Sequence, residues 1–301
     1  MSYVIQTKKL TKTFCKTTAV NSLSLNVPQG SIYAFLGPNG AGKTTTIKLL
    51  MNLMFPTSGS VEVLGVSSGK LGPETLQRIG YVSENQKLPQ WMTVQQLIDF
   101  CKPMYPTWDD DFCAHLLRQL DLKTDCKIRS MSRGMKVKAA LLSSLAYRPE
   151  LLVLDEPFSG LDPLVRDEFI RGILELTDSE GWTVFISSHD IDEVDRLADR
   201  VGFIDRGTLQ ISESKEELQK RVRQIEIILP EGCNVPNRLP ETWLVPERAG
   251  HAFRFVESRY DETFDVRLKT IFPTVGVCDP QSLSLREIYL VMARHFKGVS
   301  K

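Results

Sequence analysis

The 301-residue sequence has no long hydrophobic run. Its longest apolar stretches, near Ala139–Leu145 and Leu151–Leu154, fall far short of the roughly 18 residues a membrane-spanning helix needs. Neither sign of charge is in excess. Lys and Arg number 37 against 37 Asp and Glu, so no overall field points to nucleic acid or to an anionic membrane, and no nucleic-acid partner is expected. Cysteine pairing is missing too. Cys15, Cys101, Cys113, Cys126, Cys233 and Cys278 contain no C-x-x-C pair and no histidine at zinc spacing, so they read as reduced thiols. The stretch Met1–Lys9 lacks an apolar signal core, and a cytosolic location is expected. There is no long internal repeat and no low-complexity segment.

What is present centres on Gly37-Pro38-Asn39-Gly40-Ala41-Gly42-Lys43-Thr44-Thr45, spaced as G-x-x-x-x-G-K-T. Glycines at these spacings let successive backbone N–H groups turn inward onto an anion. Lys43 supplies a mobile charge for the outer phosphates, and the Thr44 hydroxyl a ligand for Mg²⁺. Ser31–Leu36 before the loop is apolar and strand-like, and Thr46–Met51 after it carries apolar residues at helical spacing. This strand–loop–helix context predicts a nucleotide-binding loop with a helix N-terminus aimed at the phosphates.

Along the chain, residues 3–36 alternate apolar and polar around turns at Asn21 and Pro28-Gln29-Gly30, which predicts a small antiparallel sheet. Within it Phe14 has two readings: a core aromatic, or an exposed ring set among Thr11, Lys12, Thr13 and Lys16. Ile79–Ser83 is a second buried strand, and Glu84 to about Arg148 turns helical. Asp109-Asp110-Asp111 opens a helix through Leu120, where three acids complement the helix dipole rather than hold a metal. Ser132 precedes another helix with Val137, Ala140, Leu141, Ser144 and Leu145 on one face. Leu151–Leu154 ends in Asp155-Glu156, and Thr183–Ser188 ends in His189, with a helix of roughly Leu164–Glu180 between them. Strands of this kind alternating with helices predict a parallel α/β core.

After Gly207 the composition shifts. Ser214–Gln224 is charged and helical, Gln224–Leu229 and Ala252–Val256 read as strands, and Ser284-Leu285-Arg286-Glu287 is a capping box. Its helix carries Leu285, Ile288, Tyr289, Met292 and Phe296 in phase.

Polar residues at the carboxyl ends of parallel strands sit where ligands bind. Asp155 fits a carboxylate that holds Mg²⁺ through water. Glu156 beside it is an adjacent like charge with no stabilising reason to be there, which suits a general base for attacking water. His189 is a candidate sensor of the terminal phosphate.

The sequence resembles the nucleotide-binding subunits of ABC (ATP-binding cassette) transporters over roughly residues 3–215. The resemblance rests on Gly37–Thr45, on Met131-Ser132-Arg133-Gly134-Met135 as the signature, on Leu151–Glu156 as Walker B, on Ser159-Gly160-Leu161-Asp162 as the D-loop, and on His189 as the switch histidine. It implies two subunits that sandwich two ATPs, each held by one P-loop and the other subunit's Ser132 and Gly134. Phe14 then falls where the family stacks an aromatic on adenine, and Asp162 of the D-loop counts among the nucleotide-binding residues. Met131, Arg133 and Met135 depart from the usual L-S-G-G-Q. Glu84 stands in place of the family's glutamine near the Mg²⁺, with Gln86 as the alternative equivalent. Similar variations occur in bacterial exporters of antibiotics, lipids or polysaccharides.

The expected architecture is therefore an α/β P-loop NTPase core with an antiparallel β subdomain and a helical subdomain (about 85–148) within residues 1–219, plus a small α+β domain at 220–301. The expected function is an ATPase that dimerises, with itself or a homologous subunit, around ATP and Mg²⁺. It would drive a separate membrane permease from the cytoplasmic face. A non-transport ABC ATPase acting on ribosomes or DNA is the alternative, although the chain has one cassette and no coiled-coil insertion. A P-loop kinase fits Glu156, Asp162 and His189 poorly. Glu84–Trp108, with Leu88, Pro89, Trp91 and Met92, is read either as the permease-docking surface or as internal packing of the helical subdomain.

Overall fold

Alternating apolar residues in the first 28 positions form two long antiparallel strands, β1 (Tyr3–Phe14) and β2 (Thr17–Pro28), paired from Tyr3↔Pro28 to Phe14↔Thr17. The structure, a computed structural model, describes residues 2–299 apart from Asn85, Asn234, Asn237, Thr274 and 276–279, and without the side chains of Leu176, Ser179 and 296–299. Cys278 and the Phe296 side chain, both named above, lie outside the described residues.

The chain divides into two units, Met1–Ser212 and Glu213–Lys301. Composition places the boundary at 219/220, so the charged helix after Ser214 is the element on which the two differ.

In the first unit, β1 also pairs antiparallel with β4 (Ser58–Val63), which carries the short β5 (Val66–Ser67). The inward residues Ile5, Leu10, Val20, Leu23, Leu25 and Val27 are buried, as the alternation requires. The second sheet has the order β10-β9-β3-β8-β7-β6. Its strands are β3 (Ile32–Leu36), β6 (Ile79–Val82), β7 (Leu151–Asp155), β8 (Thr183–Ser188), β9 (Arg200–Asp205) and β10 (Thr208–Ser214). From β9 to β6 the pairings are parallel. Register sets Leu36 beside Ser188, Asp155 beside Ser187, and Leu154 beside Val82, so these strand ends share one edge. Both faces of β3, β7 and β8 are buried, which explains their unbroken apolar runs.

Helix α1 (Lys43–Leu50) follows β3 and buries Ile47, Leu49 and Leu50. The short α2 (Pro73–Leu76) precedes β6. Three helices then follow, each started by a side-chain cap. Thr93 and Gln96 form a capping box for α3 (Val94–Cys101), and Asp109 accepts from the Phe112 N–H (2.8 Å) for α4 (Asp110–Gln119). Ser132 accepts from the Met135 N–H (3.2 Å) for α5 (Arg133–Leu145). Asp109 thus caps α4 and pairs with Arg148, Asp110 pairs with Lys102, and Asp110 and Asp111 lie in the first turn of α4. Met92 is buried at 6 % exposure, whereas its neighbour Trp91 is 69 % exposed. Helices α6 (Pro163–Glu180) and α7 (Ile191–Asp195) flank β8 in sequence.

The second unit is an antiparallel sheet of order β12-β13-β11-β14, with β11 (Arg223–Ile228), β12 (Trp243–Ala249), β13 (Ala252–Glu257) and β14 (Gln281–Ser282). It carries α8 (Lys215–Arg221), α9 (Phe264–Ile271) and α10 (Leu285–Val299). Trp243 stacks on Phe255 with centroids 4.0 Å apart, among Phe253, Phe264 and Phe272. The fully buried Glu257 is satisfied by Trp243 Nε1 (3.1 Å) and by the Arg259 N–H (2.7 Å). Ser284 and Glu287 form the capping box of α10 as expected.

Candidate nucleotide-binding and catalytic site

At the carboxyl end of β3 the chain turns sharply into α1. Gly42 has φ 106°, and a Cβ there would lie 2.3 Å from the Ala19 carbonyl oxygen. A Cβ on Gly37 would meet the Ile204 carbonyl oxygen at 2.3 Å. Only glycine fits either position, and the loop closes against the backbone of β2 and β9 because both are glycine. Pro38 and Ala41 join across the loop through the Ala41 N–H and Pro38 carbonyl (3.1 Å).

The turn places Lys43 at the start of α1, 5 % exposed. Its Nζ donates to the carbonyls of Gly37 (2.7 Å) and Pro38 (3.2 Å) and stands 3.0 Å from Glu156 Oε1. Beside it lies a cavity of about 400 Å³, lined by Asn39, Gly40, Gly42, Lys43, Thr44 and Thr45 of the loop. Glu84, Glu156, Ser159 and His189 come from the strand ends and the following loops, and Ala19 from β2.

Two carboxylates end β7. Asp155, buried, accepts from Ser187 Oγ (2.7 Å) and Thr44 Oγ1 (3.2 Å) on the same oxygen. Burial pushes its carboxyl above the usual range, the Glu156 and Glu84 carboxylates push the same way, and the two hydroxyls oppose. Glu156 adopts φ 48° and is also buried. Its Oε2 lies 2.7 Å from His189 Nδ1 and accepts the His189 N–H (3.3 Å). Its Oε1 faces Lys43 at ion-pair distance, yet makes no hydrogen bond, so that contact is Coulombic rather than directional.

Glu84 lines the cavity and Gln86 does not; Gln86 Oε1 instead accepts from the Ser83 N–H (3.2 Å). Glu84 also borders a second cavity, of about 310 Å³, with Lys87, Arg133, Lys136 and the apolar Val137 and Ala140.

The remaining expected residues lie away from the first cavity. Ser132 caps α5, and Gly134 packs so closely on α6 that a Cβ would lie 3.1 Å from Val165. The Arg133 guanidinium covers Gly160, where a Cβ would lie 3.0 Å from it. Asp162 caps α6 through the N–H groups of Leu164 and Val165. Phe14 is 43 % exposed with Lys12 Nζ 5.2 Å from its ring centre, so it is not a core residue. Sequence reasoning missed Ser187, which joins Asp155 to the Glu156 N–H (3.1 Å). Its signal was a hydroxyl at the end of an otherwise apolar strand. Among the described residues no group of three or more His, Cys, Asp or Glu side chains converges as a metal centre.

A buried lysine on a glycine loop, at the head of a parallel sheet whose strand β7 ends in two adjacent carboxylates, defines a P-loop nucleoside triphosphatase. The chain belongs to the ABC transporter ATP-binding family. The family model for ABC transporter matches residues 20–159. Over 226 residues the chain is 38% identical to the bacitracin transport ATP-binding protein BcrA of Bacillus licheniformis, covering 74% of each chain. It is 26% identical over 287 residues to the ABC transporter ATP-binding protein YtrB of Bacillus subtilis (strain 168), covering 95% of this chain and 97% of that one. The fold is shared with a dimeric ATP-binding cassette solved in a post-hydrolysis state with ADP and Pi (TM-score 0.62, 22% identity, 70% of this chain and 98% of that one). This chain binds ATP and hydrolyses it in a reaction coupled to transmembrane transport. Among the described residues no helix is long and apolar enough to cross a membrane.

Proposed function

We propose that two copies of this chain, or one copy and a homologous ATPase subunit, close around two molecules of Mg²⁺-bound ATP. Each ATP is held by residues 37–45 of one subunit and by Ser132 and Gly134 of the other, with Asp162 at the seam and Phe14 stacked on adenine. Glu156 takes the proton of the attacking water. His189 holds the Glu156 carboxylate and senses the terminal phosphate. The observation that carries this reading is the buried Glu156 between Lys43 and His189, at 3.0 and 2.7 Å, on the wall of the P-loop cavity.

The Thr44 hydroxyl and the Asp155 and Glu84 carboxylates would hold the Mg²⁺. They are hard oxygen donors, and a divalent cation would offset both the burial and the lesser carboxylate repulsion that raise the Asp155 pKa. When bound, the ion neutralises charge on the transferring phosphate. An incoming phosphate competes with Glu156 for Lys43, leaving Glu156 Oε1 to accept from water.

The permease is proposed to dock on Glu84–Trp108, where Trp91, Phe100 and Met104 are exposed and Glu84 touches both cavities. BcrA is named for bacitracin transport. By that similarity the exported compounds are antibiotics, lipids or other amphipathic molecules, and the chain works at the inner face of the cell membrane. The test is light scattering of Glu156→Gln with Mg-ATP. The expected species is a dimer that reverts to monomer when nucleotide is removed; a persistent monomer that binds ATP would sink the sandwich.

A further inference from the structure

Two charged side chains beside the site have no part in the chemistry above. Arg166 stands in the first turn of α6 and Glu193 in α7, the latter 6 % exposed. Arg166 Nη1 lies 2.7 Å from Glu193 Oε1, and its Nη2 donates to the Leu161 carbonyl (3.4 Å). Glu193 Oε2 is 3.2 Å from Ser188 Oγ. Ser188 immediately precedes His189, and its carbonyl accepts the Gly37 N–H at the start of the P-loop (3.3 Å). His189 Nδ1 in turn meets Glu156 Oε2, and Glu156 begins the segment whose far end, Leu161, is the residue Arg166 holds. The contacts close a ring: Glu156, His189, Ser188, Glu193, Arg166, Leu161, and back along the chain to Glu156.

Glu193 is buried and Arg166 is 29 % exposed. An ion pair withdrawn from water adds little stability over apolar side chains of the same volume, whereas loss of the arginine strands a buried carboxylate. Burial pushes the Glu193 carboxyl up and Arg166 opposes it, so the charged Glu193 depends on Arg166. Asp190 Oδ2, at 3.8 Å from Arg166 Nη1, is the further acid on this guanidinium. Arginine's fork can hold the Leu161 carbonyl and the Glu193 carboxylate at once; a lysine ammonium cannot match that geometry.

We infer that Arg166 and Glu193 are positioning residues for hydrolysis. They fix the separation between the backbone before His189 and the 156–161 segment, and so the angle at which Glu156 meets water. This rests on the reading of Glu156 as the base.

The experiment compares Arg166→Lys, Glu193→Gln and the neutral pair Arg166→Met/Glu193→Leu by steady-state ATPase, titration with a fluorescent ATP analogue, and melting temperature. Misplacement of a reacting group costs on the order of 10- to 100-fold. Both single variants should lose that much in kcat, with the dissociation constant changed by less than about threefold, because ground-state binding is untouched. The neutral pair should regain the wild-type melting temperature yet stay slow. Wild-type kcat in Arg166→Lys, or recovery of both stability and turnover in the neutral pair, makes the pair merely structural and overturns the inference. Glu156→Gln runs in parallel. If it keeps turnover, the base assignment itself is wrong; if it stops while Arg166→Lys does not, only the positioning role fails.

Discussion

Lys43 Nζ stands 3.0 Å from Glu156 Oε1, and the two side chains are 5 % and 8 % exposed. The cation suited to phosphate and the carboxylate suited to water therefore hold each other. Replacing Glu156 by Gln removes both the base and the competitor for Lys43. Turnover should fall by about 10²–10⁴-fold, while ATP affinity is equal to wild type or tighter. Lys43→Ala should lose affinity instead. Phosphate release together with equilibrium nucleotide binding separates these outcomes, and turnover by Glu156→Gln above roughly a tenth of wild type would remove Glu156 from the mechanism.

Asp155 offers a prediction with a pH sign. Its folded pKa is raised, so the charged form costs stability, fully at pH above the raised value and not at all below the ordinary carboxylate range. Asn at this position keeps an acceptor for Ser187 and Thr44 without the charge. Asp155→Asn should melt higher than wild type at neutral pH when measured without nucleotide, and the gap should close as pH falls into the acid range. Mg²⁺-dependent turnover should be lost. A gap that widens in acid would contradict the assigned direction.

Phe14 lies on the β1–β2 hairpin with its ring exposed under Lys12. An exposed cation–π contact is worth about 0.5–1 kcal/mol, so Phe14→Ala should barely change the melting temperature. Stacking on a base is worth about 1–3 kcal/mol, so the same change should weaken ATP binding roughly 5- to 150-fold, and Phe14→Tyr should be nearly silent. Unchanged ATP affinity in Phe14→Ala would leave the adenine without this platform.

The P-loop was legible because its demands are local: glycine where the backbone turns, a strand before it, a helix after it. The capped helices at Asp109, Ser132 and Ser284 were legible for the same reason, since a cap and its N–H partner lie within three residues. Strand β12 was not, because Pro246 and the positive φ of Val245 break its alternation. Ser187, Arg166 and Glu193 were invisible for another reason. Ser187 meets Asp155 and Arg166 meets Glu193, partners distant in sequence that only the packed sheet and its helices bring together. Trp91 and Met92 looked like one apolar cluster, and the backbone sends them to opposite environments.

Ser132 and Gly134 sit at the start of α5 and outside the cavity of their own P-loop. If they act on the partner's ATP, a mixture of Lys43→Ala and Ser132→Ala chains should form one composite site free of both defects. ATPase activity should then reappear in a mixture of two inactive proteins. Silence in mixtures where heterodimers are shown to form by tagged pull-down would mean that the signature does not work across a dimer.

Trp91 and Met92 now decide the docking surface between them. Met92 is buried, and its carbonyl accepts the Ile128 N–H (2.9 Å). Truncating a buried methionine costs about 2–5 kcal/mol, so Met92→Ala should lower the melting temperature markedly. Trp91 is the opposite case. At 69 % exposure it has little packing to lose, yet a large exposed indole is what protein interfaces favour. Trp91→Ala should keep the wild-type melting temperature and basal ATPase, and should reduce capture of the permease from detergent extract. A stable Trp91→Ala subunit that still captures the permease at wild-type yield would move the docking surface elsewhere on the subunit.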